Sequence, residues 1–153
     1  MNQPIPGDDA VPSATWICDQ SIMIKGTPEN IWPWLAQMGS GRAGWYSWDW
    51  IDNWGRPSFQ NIDSNLQTLS KDQAISVFTL DDFKENQFMT LRYSKKANMT
   101  WWLEPRGEKT KLSSRVRING PKLLLDLTLG PGHFIMQYKQ FVEIKKRVER
   151  MQS

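Results

Sequence analysis

Six of the nine tryptophans in this 153-residue chain, Trp32, Trp34, Trp45, Trp48, Trp50 and Trp54, fall in one stretch between positions 32 and 54. An indole is large, rigid and amphipathic. It buries a wide apolar area and, once enclosed, its N–H needs a partner. A cluster this dense obliges the chain to build either a thick aromatic core or a pocket with aromatic walls, and composition does not choose between them. The length is that of one domain, enough for a core without disulfides or a metal.

Several function classes are excluded early. The net charge is +3, and the basic residues are scattered except for Lys145, Lys146, Arg147 and Arg150. Those four sit where a helix C-terminus favours cations; the dense basic stripe of a nucleic-acid binder is missing. The single cysteine, Cys18, rules out an intrachain disulfide and reads as core in an apolar strand-like stretch. No apolar run is long enough to span a bilayer, so no stable membrane insertion is expected. Residues 1–13, with Pro4, Pro6, Pro12, Asp8 and Asp9, lack the order of a signal peptide. They read as a flexible N-terminal arm, residues 14–153 as a single domain, and the protein as cytoplasmic. Nucleotide, zinc-protease, dithiol and serine-hydrolase motifs are absent, so neither a cofactor nor a metal is expected.

Periodicity sets the element order. Residues 14–25 read as a first strand, ended by Gly26. Thr27 and Pro28 have the form of a helix start. Ile31, Trp34, Leu35 and Met38 then share one helical face, and Pro33 should kink or shorten the helix. After a glycine loop around Arg42, Ser47 reads as the next N-cap, with Tyr46 and Ile51 as a hydrophobic staple and Asp49 in the first turn. Residues 59–73 are a long polar connection. Strands are expected at 74–80, 88–93, 99–104 and 111–118, with a turn at Asp81–Asp82, and 122–129 is compatible with one more. Met99, Trp101 and Leu103 should face inward beside Leu112, Ser114, Val116 and Ile118; Arg115 and Arg117 should face solvent. Residues 133–151 read as one long amphipathic helix, with Phe134, Phe141 and Val148 on its apolar line and Tyr138, Ile144 and Met151 beside it.

The stretch 27–53, TPENIWPWLAQMGSGRAGWYSWDWIDN, closely resembles a bacterial branch of the SRPBCC superfamily whose pattern runs like PPE-x-VWPWL-x-QMG-x-GRAGWYSYDWLEN. The C-terminal PGHFIMQYKQFVEIKKRVE is similar to that branch's last helix. The resemblance implies an α+β helix-grip (START-like) fold: a curved antiparallel sheet wrapped around a long C-terminal helix, two short helices after the first strand, and a cavity between sheet and helix. Relatives of the branch carry Gly-Asp just before the second strand, where this chain has Lys71, Asp72 and Gln73.

Candidate ligand-cavity residues are Trp34, Gln37, Arg42, Trp45, Tyr46, Asp49, Trp101, His133 and Met136. Arg42 is either an anion anchor or a structural partner of Asp49 or Asp52. Tyr46 and Asp49 form either a polar pair for acid–base work or a staple and a dipole contact, the simpler option. His133 is read as a helix-start histidine bonded to a loop, since no ligand spacing makes it a metal site. The leading expectation is a non-catalytic binder of a small apolar or aromatic molecule, lipid or polyketide-like. The alternatives are a cyclase or dehydratase-type enzyme, and a module that docks a protein or membrane surface through exposed tryptophans.

Overall fold

The computed structural model describes residues 3–153. The first strand β1 (Trp16–Lys25) is followed by α1 (Pro28–Ala36) and a four-residue helix α2 (Asp49–Asp52). After the long connection come β2 (Ala74–Ile75), β3 (Phe78–Lys84), β4 (Phe88–Ser94), β5 (Ala97–Arg106) and β6 (Lys109–Ile118). A short α3 (Lys122–Thr128) and the 21-residue α4 (Gly130–Arg150) close the chain. The strands form one antiparallel sheet in the order β1-β6-β5-β4-β3-β2. The curved open sheet with a long helix across one face is the α+β helix-grip arrangement.

The inner face follows from two-residue alternation. Ile24, Leu112, Trp101, Leu103, Met89, Leu91, Leu80 and Ile75 point inward and are buried. Phe141, Ile144 and Val148 of α4, together with Ile31, Trp34, Leu35 and Met38 of α1, close the core from the other side. Burying each such side chain stabilises by about 1.5–3 kcal/mol. Helix α1 begins as expected: Asn30 Oδ1 accepts from the Thr27 backbone N–H at 3.0 Å in a capping box. Pro33 lies inside it, and the helix ends one turn later.

Several local expectations differ from the structure. Strand β3 runs through Asp81 and Asp82 instead of turning there, because a bulge between Leu80 and Asp82 resets the alternation and returns Phe83 to the inner face. The segment compatible with a strand is helix α3, whose Lys122 and Asp126 pair one turn apart at 2.6 Å. Ser47 is not an N-cap: its hydroxyl donates to the Met136 carbonyl at 3.2 Å, Trp48 occupies the cap position, and Ile51 is exposed, so no staple forms. The apolar line of α4 is buried only from Phe141 onward, through Ile144 and Val148; Phe134, Tyr138 and Met151 are exposed.

The outer face of the sheet carries the N-terminal segment. Residues read from the sequence as a flexible arm lie across it: the Pro6 carbonyl accepts from Thr100, the Gly7 carbonyl from Asn98, and Val11 is buried. Gly7 has a left-handed φ of 92°, and a Cβ there would stand 2.6 Å from Thr100 Oγ1, so close approach and conformation both require glycine. Beneath the segment Arg115 is buried rather than solvated. It binds Asp19 through two bonds of 2.8 Å and Asp8 through a third of 2.8 Å. Arg117 donates to the Val11 carbonyl at 3.1 Å. Cys18 is half-buried, and desolvation pushes its thiol pKa up.

Candidate functional site

Between α4 and the concave face of the sheet lies a partly enclosed cavity of about 190 Å3. The sheet contributes Phe78, Met99 and Trp101; the loop before α2 contributes Trp45 and Ser47; α2 contributes Asp52; α4 contributes His133, Met136, Gln137 and Gln140. Trp45 and Phe78 meet edge to face, with ring centroids 5.6 Å apart. The volume is below the 300–1,000 Å3 common for drug-sized ligands. It is close to the ~150 Å3 of an engineered apolar cavity that holds benzene.

Gln140 organises the wall. Its Oε1 accepts from the Trp101 indole N–H at 3.2 Å and from Gln137 Nε2 at 2.5 Å. Its Nε2 donates to the Trp45 carbonyl at 2.9 Å and faces Met38 Sδ at 3.6 Å. One buried amide therefore ties α4, the centre of the sheet and the tryptophan loop together. The Trp45 indole donates to Ser40 Oγ at 2.9 Å, and the Ser40 hydroxyl in turn donates to the Asp52 carbonyl. That relay holds α2, and with it the Asp52 side chain, against the cavity.

Two titratable groups line the same space. Asp52 Oδ1 is buried and has no hydrogen-bond partner among the described residues. Desolvation, reinforced by the neighbouring charge of Asp49, raises the Asp52 carboxyl to about 6. Burial lowers the pKa of His133. The His133 ring packs edge-on to Trp16 at 6.1 Å, and its side chain makes no hydrogen bond within the described protein, in contrast to the loop bond expected of it.

Four of the nine candidate residues therefore line the cavity: Trp45, Trp101, His133 and Met136. The other five are placed in the packing around it. Trp34 is fully buried in the core. Gln37 is spent on the long connection, donating to the Asn61 carbonyl at 3.2 Å and accepting from the Asp63 N–H at 2.9 Å. Arg42 pairs with neither Asp49 nor Asp52. Its guanidinium donates to the carbonyls of Ala36, Met38 and Leu66 at 2.8–3.1 Å, satisfying the open C-terminal end of α1 and pinning the connection. The Tyr46 hydroxyl donates to the Trp34 carbonyl at 3.1 Å beneath Arg147, whose guanidinium sits 4.9 Å from the ring centroid; burial pushes the phenol's pKa upward. Asp49 accepts from the Ser58 N–H at 2.9 Å and from its hydroxyl at 2.5 Å, closing the loop onto Gly44, where any Cβ would strike Ser58 Oγ. Arg42, Tyr46 and Asp49 thus do not converge with His133 on the cavity, and the acid–base alternative finds no such group there.

Five lining residues escaped the sequence reading, Ser47, Asp52, Phe78, Gln137 and Gln140, while Met99 follows from the inward face of its strand though not from the candidate set. A signal existed for the two glutamines. They fall on the same helical stripe as Phe141, Ile144 and Val148, and a polar residue on a buried stripe has to be bonded to something. Among the described residues no cluster of three or more metal-ligating side chains exists, and no helix is long and apolar enough to cross a membrane.

No protein-family model matches the sequence, and no curated protein matches it. Solved structures do. A Staphylococcus saprophyticus protein, SSP2350, superposes with a TM-score of 0.51 at 8% identity, covering 83% of this chain and 90% of its own. A conserved protein of Geobacillus kaustophilus gives 0.49 at 17% identity over 88% of this chain and 96% of that one. A Polyketide_cyc-like protein from Corynebacterium glutamicum gives 0.44 at 13%, over 87% and 91%. At these identities the likeness is one of fold.

Proposed function

We propose that this chain is a binding domain for a small aromatic or apolar molecule, held between α4 and the sheet. The observation that carries the reading is the cavity wall itself: Trp45, Phe78, Met99, Trp101 and Met136 present apolar surface to one space, while Gln140 holds the wall's indole and carbonyl groups satisfied. A cavity whose walls are fixed before the ligand arrives loses little entropy on binding. The sequence likeness of residues 27–53 to an SRPBCC branch supports the same reading. The volume narrows the ligand to one or two rings, or to the terminal ring of something longer whose remainder stays outside.

The test is titration with toluene, benzyl alcohol and indole, followed through the indole N–H resonances of Trp45 and Trp101. Saturable shifts that vanish when Met136→Trp fills the cavity support binding there. Absence of any shift at millimolar probe overturns it.

A second reading concerns the outer surface of the same region. Leu123, Leu124 and Leu127 of α3 and Phe134 and Ile135 of α4 are all more than half exposed, as are Trp50 in α2 and Trp54 just after it. Apolar side chains at this density, flanked by Lys122 and Lys139, have the composition of a helix pair that lies on a lipid surface. Such contact would present the cavity to ligands dissolved in a bilayer. Co-sedimentation with anionic phospholipid vesicles, lost in a Leu123→Ser, Leu124→Ser, Leu127→Ser variant, is the expected result; a protein that stays in the supernatant excludes the reading.

A further inference from the structure

The polar groups of the cavity are unbalanced. Of its hydrogen-bond donors, the Trp101 indole is spent on Gln140, the Trp45 indole on Ser40, the Ser47 hydroxyl on Met136 and the Gln140 amide on Trp45 and Met38. The acceptors are left open. Among the described residues Asp52 Oδ1 has no partner and Gln137 Oε1 accepts nothing, while the His133 ring is unbonded at both its N–H and its acceptor nitrogen. No lysine or arginine lines the space, so the carboxylate has no countercharge inside it. Around these acceptors stand the π-faces and edges of Trp45, Phe78 and Trp101 and the thioethers of Met99 and Met136.

A buried carboxylate without a countercharge, at the wall of a space lined by aromatic rings, is the chemistry that recognises an organic cation. We infer that the preferred ligand is a small aromatic or aliphatic amine bound as its ammonium ion, with its head on Asp52 and its apolar body against Trp45, Phe78 and Trp101. This rests on the binding reading above and sharpens it to a ligand class. The ammonium supplies the positive charge that the lining lacks, together with donors for Asp52. An anion would be repelled by Asp52, a plain hydrocarbon would leave Asp52 Oδ1 unbonded, and a neutral alcohol could donate to it but would bring no countercharge.

The ion pair also makes binding depend on pH. The charged and titratable groups nearby are Asp49 on the same short helix, His133 in the α4 wall, and Lys139, which sits over the Trp48 ring at 4.8 Å. The sheet contributes none to the lining. With Asp52 protonating near 6, ammonium affinity is expected to be full at pH 8 and to decline as pH falls through that value.

The experiment compares benzylammonium with benzyl alcohol, nearly the same in shape, and with benzoate, again through the Trp45 and Trp101 indole resonances. The expected result at pH 8 is roughly tenfold or greater preference for benzylammonium over the alcohol, no binding of benzoate, and loss of the preference both in Asp52→Asn and in wild-type protein at pH 5. Alcohol binding as tightly as the amine, or a preference that survives Asp52→Asn and pH 5 unchanged, overturns the cation assignment and leaves the cavity reading standing. If none of the three probes shifts either resonance, both fall. Should Asp52→Asn fail to fold, the wild-type pH series decides alone.

Discussion

Trp101, at the centre of the sheet, gives its indole N–H to Gln140 on the terminal helix across 3.2 Å, and both side chains are buried. The helix is thereby fixed against the sheet by a polar bond placed where the cavity begins. Replacing Gln140 by Leu keeps much of the volume but strands the Trp101 N–H and frees the Trp45 carbonyl. The expected cost is about 1–3 kcal/mol, the desolvation penalty of an unpaired buried group. Urea unfolding of Gln140→Leu is the check; a midpoint equal to wild type would mean the bond contributes nothing.

The N-terminal segment gives a second prediction. Arg115 is held by Asp8 and Asp19 and caps the outer face of the sheet. Removing one member of a fully buried ion pair costs 3–5 kcal/mol, but Asp19 is partly solvated, so Arg115→Met is expected to lose about 2 kcal/mol. This corresponds to roughly 4–8 °C in Tm for a domain of this size. Gly7→Ala should act on the same contact through the left-handed φ and Thr100. In both variants amide exchange should rise first in residues 5–12, and protection there equal to wild type would count against the mechanism.

What the sequence made legible, and what it did not, follows from the range of the interactions. The alternation of Met99, Trp101 and Leu103 identified the inner face of β5, because a half-buried strand writes its period of two into the sequence. Thr27 and Pro28 marked the start of α1 for a similarly local reason. Helix α3 was read as a possible strand because three consecutive leucines carry no period, and a short apolar run does not separate the two states. Arg42 and Tyr46 sit in the most motif-like stretch, yet their partners are backbone carbonyls at Ala36, Leu66 and Trp34, contacts set by how the chain folds back on itself. For Asp52 the sequence offers only a charge near Arg42. Its burial comes from the Trp45–Ser40 relay, which sequence spacing does not encode.

The lone histidine offers a direct reading of the cavity's polarity. Burial alone depresses His133 below its ordinary 6.5. A depressed folded-state pKa means that the unfolded chain binds the proton more readily, so this residue's contribution to stability is complete above 6.5 and is lost as pH falls through the folded value. With one histidine in the chain, a single imidazole resonance reports it in an NMR titration. The expected midpoint lies below 6.5, and a midpoint at or above that value would place the ring in water or beside a carboxylate.

Asp52 must behave in the opposite sense. Its folded pKa of about 6 stands above the ordinary carboxyl value of 3.8, so the folded state takes up the proton first. Stability on account of this group therefore falls as pH rises from about 4 to about 6, and the cost is fully present above 6. Asn cannot ionise and removes it. Asp52→Asn is thus expected to be more stable than wild type at pH 8 by about 1 kcal/mol, less than the full shift implies because the residue is only half-buried. Near pH 4 the two proteins should converge. Paired urea unfolding curves at pH 4, 6 and 8 measure the difference. Residues retained for binding are often destabilising in the empty protein, so a gain in stability at pH 8 together with loss of ammonium binding would mark Asp52 as such a residue, whereas an Asn variant weaker than wild type at pH 8 would make its carboxylate a structural support.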